Sequence, residues 1–169
     1  MMIGNKSNVG AALGIVALLA VAPPWTEAFA AKKQPATQTL KRVTVNKKPH
    51  HLILQVNTND AAMMNLTLNN ATNVAQYYSE LGEEVAIEVV TFGPGLHMLR
   101  ADTSPVKTRI EALSLSTPAI SFKACGNTKE NMSKAESKEI PLISVATVVK
   151  SGVVHVMELE EQGWTYVKP

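Results

Sequence analysis

The one cysteine of this 169-residue chain, Cys125, stands inside AISFKACGNTKEN, residues 119–131. A strand-like run ends at the thiol and a Gly126-Asn127-Thr128 turn follows it. The thiolate, not the thiol, attacks disulfides and accepts sulfane sulfur. A cysteine just ahead of a helix start has unpaired amide N–H groups and the positive end of the helix dipole beside it, and both favour the thiolate. His97 and Lys129 would push the same way if the fold brought them close. The competing expectation is a buried, inert thiol, because cysteine is among the most buried residue types. With a single cysteine there is no internal disulfide. In an oxidising compartment such a thiol is buried, paired with another molecule, or chemically used.

Other chemistry has less support in the sequence. The four histidines and the lone cysteine have no metal-ligand spacing, so no metal site is expected. His50 and His51 fall at the start of the first strand, at the pole away from Cys125, and His155 falls within a helix. No Gly-x-Ser-x-Gly, P-loop or Gly-x-Gly-x-x-Gly follows a strand, so neither a hydrolase nor a cofactor-dependent reaction is indicated. The formal net charge is +2, and no interleaving of basic and aromatic residues suggests nucleic acid.

The elements that must position Cys125 alternate from residue 49 onward. HLILQV (51–56) reads as a buried strand ending at Asn57. Residues 60–81 carry Met64, Leu68, Ala71, Ala75, Tyr78 and Leu81 on one helical stripe, with Asp60 as N-cap and Gly82 just past the end. Asn65, Asn69 and Asn73 recur every four residues on the opposite face. Asparagine is a poor interior helix former, so solvent or amide hydrogen bonding across a subunit interface must compensate. EVAIEVVTF (84–92) is a strand apolar enough to be covered on both faces, broken by Gly93-Pro94-Gly95. Ser104 and Pro105 cue a second helix with Val106, Ile110 and Leu113 on one face. Residues 118–124 form the third strand, and Asn127 with Glu130 has the spacing of a capping box opening a helix over 128–138. A fourth strand is expected over 142–150, a helix over 153–162, and a fifth strand in WTYVK.

Strands alternating with helices on short connections indicate an α/β fold with a largely parallel sheet. In such a sheet ligands bind beyond the carboxyl ends of the strands. That edge collects Asn57, Gly93, Pro94, Gly95, His97, Cys125, Asn127 and Thr128, with Lys150 and Ser151 nearby. These residues are the expected ligand cleft, with Cys125 as the reactive group.

The first thirty residues are set apart from the fold. Lys6, the apolar run Val9–Ala22 and the small-x-small Ala28-Phe29-Ala30 have the layout of a secretory signal peptide cut after Ala30. The run is too short for a comfortable membrane span. A periplasmic or secreted protein is therefore expected, with no stable membrane insertion after cleavage. Residues 31–48 are rich in Lys, Arg and Thr without helical or strand period, and read as a flexible basic arm. Residues 49–169 suit one domain around a single core.

With the elements placed, the chain resembles the DsrE/DsrF-like family, which includes sulfur-relay subunits such as TusD. The resemblance runs from about His51 to Pro169. It rests on FGPGLHML after the second strand, RIEALSLSTPAISFKACGNT leading to the cysteine, and SGVVHVMELEEQGWTYVKP at the end. It implies a three-layer α/β/α sandwich with a five-stranded parallel sheet, and assembly as a homo-oligomer. In sulfur-relay members a cysteine at the end of the corresponding strand carries a persulfide from donor to acceptor, and only Cys125 carries over. Relay cysteines of that kind precede an Ala- and Arg-rich stretch in cytoplasmic proteins. Here Gly126-Asn127-Thr128-Lys129-Glu130 follows, and the chain opens like an exported one. The expected function is a persulfide carrier or thiol-exchange protein in sulfur metabolism, with a sulfur compound or donor and acceptor protein as partner and no cofactor. The alternative is a non-catalytic ligand-binding or assembly module with an inert Cys125.

Overall fold

A computed structural model describes residues 48–169. The expected signal peptide and all of the basic arm but Lys48 lie outside the described residues.

The first strand, β1 (His50–Val56), leads into α1 (Ala61–Glu80), which begins where Asp60 Oδ1 accepts the Ala62 amide at 2.8 Å. Met64, Leu68, Ala71 and Ala75 are buried as their spacing predicts, whereas Leu81 is exposed at the helix end. Two of the three asparagines opposite, Asn65 and Asn69, are compensated within the chain. Arg109 Nη1 donates to Asn65 Oδ1 at 2.8 Å and Arg109 Nη2 to Asn69 Oδ1 at 2.5 Å.

β2 (Val85–Thr91) runs into a 3-10 helix (Gly93–Leu99), not the open loop that Gly93-Pro94-Gly95 predicts. Its Leu96, Met98 and Leu99 are fully buried. Gly95 is essential to this turn, since a Cβ there would fall 2.1 Å from the Val56 carbonyl oxygen. α2 (Lys107–Ser116) starts three residues after the expected Ser104 cap. Ser104 instead joins two turns, its hydroxyl donating to the Met98 carbonyl at 2.6 Å and accepting from the Val106 amide at 3.3 Å.

β3 (Ile120–Cys125) passes straight into α3 (Gly126–Glu136). The N-cap is Cys125 itself, so Asn127 lies inside the helix and the Asn127–Glu130 box does not form. β4 (Ala146–Val149), shorter than its apolar run suggests, precedes α4 (Gly152–Glu161) and β5 (Thr165–Val167). Leu142 is spent on an antiparallel bridge to Arg100.

All strand pairs are parallel and the order is β4-β3-β2-β1-β5. The chain steps in one direction from β1 to β4 and returns across the sheet to β5. Right-handed crossovers then put α1, α2 and α3 on one face and α4 on the other. The packing follows that rule. One core joins Leu54, Val89 and Phe122 to Met64, Leu68, Leu96 and Ile110. A smaller one joins Ile53 and Val90 to Val156 and Leu159 of α4. The fold is thus an α/β sandwich of three layers around a five-stranded, all-parallel sheet. No helix among the described residues is long and apolar enough to cross a membrane.

Candidate functional site

Cys125 ends the inner strand β3 at the carboxyl edge of the sheet, and its residue is 4% exposed. With no linker between β3 and α3, the first amides of α3 turn toward the thiol. A second helix start meets it from the other side. Gly152 opens α4 so close to the strand end that a Cβ there would lie 3.2 Å from Cys125 Cβ and 2.9 Å from Phe92 Cδ1. Burial pushes the thiol's pKa up. The Thr128 hydroxyl and the amides of Gly152, Thr128 and Asn127 more than offset this by hydrogen bonding to sulfur, and the thiol lies below its ordinary value. The Asn127 amide is shared with the Lys150 carbonyl, at 3.2 Å. The Gly93 amide donates to Thr128 Oγ1 at 3.0 Å, which leaves the hydroxyl proton free to be given elsewhere.

Two clefts flank this junction. One is lined by Gly93, Pro94, His97, Thr128, Asn131 and Met132. The other is lined by Asn127, Val149, Lys150, Ser151, Val154 and His155 on the α4 side. The sequence-predicted residues are therefore gathered around Cys125 but divided between two openings. Asn57 stands behind them, its Cα and carbonyl oxygen forming the floor under Gly95 and Gly93. His97 and Lys129 have other partners: His97 Nδ1 bonds to Thr103 Oγ1 at 2.8 Å, and Lys129 Nζ faces Glu139 at 3.6 Å.

Sequence reasoning missed two polar clusters. His155 Nε2 meets Glu88 Oε2 at 2.6 Å, and Lys123 Nζ lies 3.5 Å from Glu88 Oε1, all on the face that α4 covers. Glu88 interrupts an otherwise apolar strand, and a carboxylate there needs a partner; that interruption was the available signal. At the far end of α3, the buried Arg100 binds Asp102 through Nε and Nη2 at 2.9 and 2.8 Å. It also binds Glu136 through Nη1 and Nη2, and Lys138 closes the cluster at 3.2 Å from both carboxylates. These bonds hold Asp102 well below the usual carboxylate range and Glu136 at about 2. The cluster ties the C-terminal end of α3 to the segment after the 3-10 helix, which steadies the helix whose start faces the thiol.

At the other pole, His50 pairs with Glu83 at 2.8 Å and stacks on Tyr78 with ring centroids 3.9 Å apart. His51 packs against Trp164 at 4.7 Å. Both histidines belong to β1 and lie far along the sheet from Cys125, as the sequence indicates.

Among solved structures, the chain is similar to a protein of unknown function, MTH1491, from Methanobacterium thermoautotrophicum. The two share 28% identity with a TM-score of 0.59, over 71% of this chain and 99% of that one. No protein-family model and no curated protein matches the chain.

Proposed function

We propose that this chain is an exported, homo-oligomeric protein of the DsrE type that carries sulfur as a persulfide, or exchanges thiols, through Cys125. The observation that supports the reading is the thiol's setting: the amide donors of two helix starts meet at one sheet edge beside it, Cys125 being the N-cap of α3 and a Cβ on Gly152, the first residue of α4, falling 3.2 Å from Cys125 Cβ. Such donors stabilise negative charge on sulfur, whether thiolate or the terminal sulfur of a persulfide. In the step proposed, Cys125 thiolate attacks a sulfane sulfur, forming the Sγ–S bond as the neighbouring S–S bond breaks. Its electron pair leaves on the shortened donor. An acceptor then removes the outer sulfur in the same manner and returns the thiolate, so no oxidant is consumed. The activity is at most that of a sulfurtransferase or carrier, and no cofactor is required.

Cyanide tests this reading. Loaded protein should release its outer sulfur as thiocyanate, and Cys125→Ser should release none. Equal thiocyanate from both would overturn the reading. The 4% exposure of Cys125 favours a second reading, an assembly or ligand-binding module with an inert thiol. That reading requires slow alkylation of Cys125 at every pH and full binding and oligomerisation by Cys125→Ser.

A further inference from the structure

We infer, resting on the homo-oligomer part of the reading above and on no property of Cys125, that the outer face of α4 is a contact between two copies of this chain, their α4 helices paired antiparallel about a twofold axis. Among the described residues α4 is the one helix on its side of the sheet, so no neighbouring helix flanks it. Its inner face is spent on the sheet, with Gly152, Val156 and Leu159 buried. Its outer face is apolar as well. Val153, Val154 and Met157 are 52, 49 and 54% exposed, and their spacing gathers them on one stripe. A solvated helix keeps that side polar, and a helix apolar on both sides is one covered on both.

The charges at the two ends of the stripe decide what covers it. Lys150, one residue ahead of the N-cap Ser151, lines the same cleft as Val154 and Glu158. Glu161 is exposed at the last position of the helix. Among the described residues, Lys150, Glu158 and Glu161 form no ion pair. From its start to its end this flank of α4 is therefore positive, then apolar, then negative.

Such a sequence of groups is complementary to itself reversed. About a twofold axis through the middle of the stripe, a flank of one copy meets the same flank of the other running the opposite way. Lys150 of each copy then stands against Glu158 and Glu161 of the other, and Val153, Val154 and Met157 of the two copies close on each other between them. A parallel pairing would set lysine against lysine. A membrane is the poorer occupant, because helices that lie on anionic lipid carry Lys and Arg beside their apolar face. α4 carries Glu158, Glu160 and Glu161 and neither Lys nor Arg. The contact is small: α4 is about 15 Å long, and one helix face falls short of the roughly 800 Å² per partner of a standard interface. The pair should come apart on dilution, with a dissociation constant on the order of 10–100 µM.

Sedimentation equilibrium of the purified protein from about 1 µM to about 1 mM spans that constant. The mass should rise from monomer to dimer. Val154→Asp, an exposed substitution that acts twice in a twofold contact, should weaken the dimer by about a hundredfold or more, and Met157→Lys should do the same. Lys150→Glu, and separately Glu158→Lys with Glu161→Lys, should each weaken it by about tenfold at low salt. An equimolar mixture of those two charge variants should regain the native constant, because every contact in the mixed dimer again joins opposite charges. A monomer at every concentration would overturn the contact and the homo-oligomer reading together. A native oligomer in both Val154→Asp and Met157→Lys would overturn the contact and leave that reading standing. A mixture no tighter than its components would overturn the antiparallel pairing. Binding of the monomer to anionic phospholipid vesicles, lost in Val154→Asp, would overturn it in favour of a membrane. Sulfur loading of Cys125 is scored separately by mass and decides the carrier reading alone.

Discussion

The Gly93 amide donates to Thr128 Oγ1 at 3.0 Å and so joins the turn after β2 to the first turn of α3. A hydroxyl whose oxygen is occupied in this way has a single proton to give, and the Thr128 side chain helps hold the Cys125 thiol below its ordinary value against its burial. Thr128→Val keeps the shape of the side chain and removes that donor. Its iodoacetamide rate at neutral pH should fall about fivefold, the worth of one hydrogen bond of ~1 kcal/mol, and the midpoint of rate against pH should move upward. Thr128→Ser should behave as the native protein. A native profile for Thr128→Val would remove the hydroxyl from control of the thiol.

Much of this arrangement was legible in the sequence, for reasons that differ by element. The stripe on α1 and its Asp60 cap are local signals and hold. The break at Gly93 is also local, but GPGLHML lacks a helical apolar period, so its tightening into a 3-10 helix was not visible. The polar box at Asn127 and Glu130 misled because β3 runs directly into α3, and the cap position falls to Cys125. Cys125 was identifiable as a strand-end thiol. The helix-start amides beside it were expected as well, whereas the approach of Gly152 was not, because it depends on the separate connection from β4 to α4 reaching the same sheet edge. Arg100 gave no signal, because its partners lie on an exposed turn and at the end of a distant helix.

Gly95→Ala should destabilise the fold by about 3 kcal/mol or more, because the new Cβ would press against main chain, which cannot swing aside. The Val56 carbonyl carbon lies 2.5 Å and Asn57 Cα 2.8 Å from its ideal position. Urea unfolding monitored by circular dichroism measures the loss, and a change under about 0.5 kcal/mol, the range of ordinary surface substitutions, would contradict the packing described.

Asp102 and Glu136 give the protein a defined acid response. Their folded pKa values are depressed, so their contribution to stability is complete above their ordinary values of 3.8 and 4.5. It is lost as pH falls through the folded values, that of Glu136 being about 2. The urea midpoint should therefore drop between pH 4.5 and 2, and Arg100→Met should flatten that drop while lowering stability at pH 7. Parallel pH profiles for the two proteins would show that Arg100 does not hold the carboxylates.

Asp60→Ala removes the oxygen that accepts the Ala62 amide at 2.8 Å at the start of α1. A loss of about 1 kcal/mol is expected in urea unfolding, with Cys125 alkylation unchanged because α1 packs on the face of the sheet opposite α4, next to which Cys125 lies. A changed alkylation rate would mean that the start of α1 is coupled to the thiol across the carboxyl edge they share.

The most direct measurement is the intact mass of the folded protein after exposure to inorganic polysulfide and removal of excess reagent. Cys125 as a sulfur acceptor predicts a gain of about 32 Da, one sulfur atom as a persulfide. Dithiothreitol should reverse it, and Cys125→Ser should lack it. An unchanged mass, under conditions that load an accessible control thiol, would contradict a sulfur-carrying role for this protein.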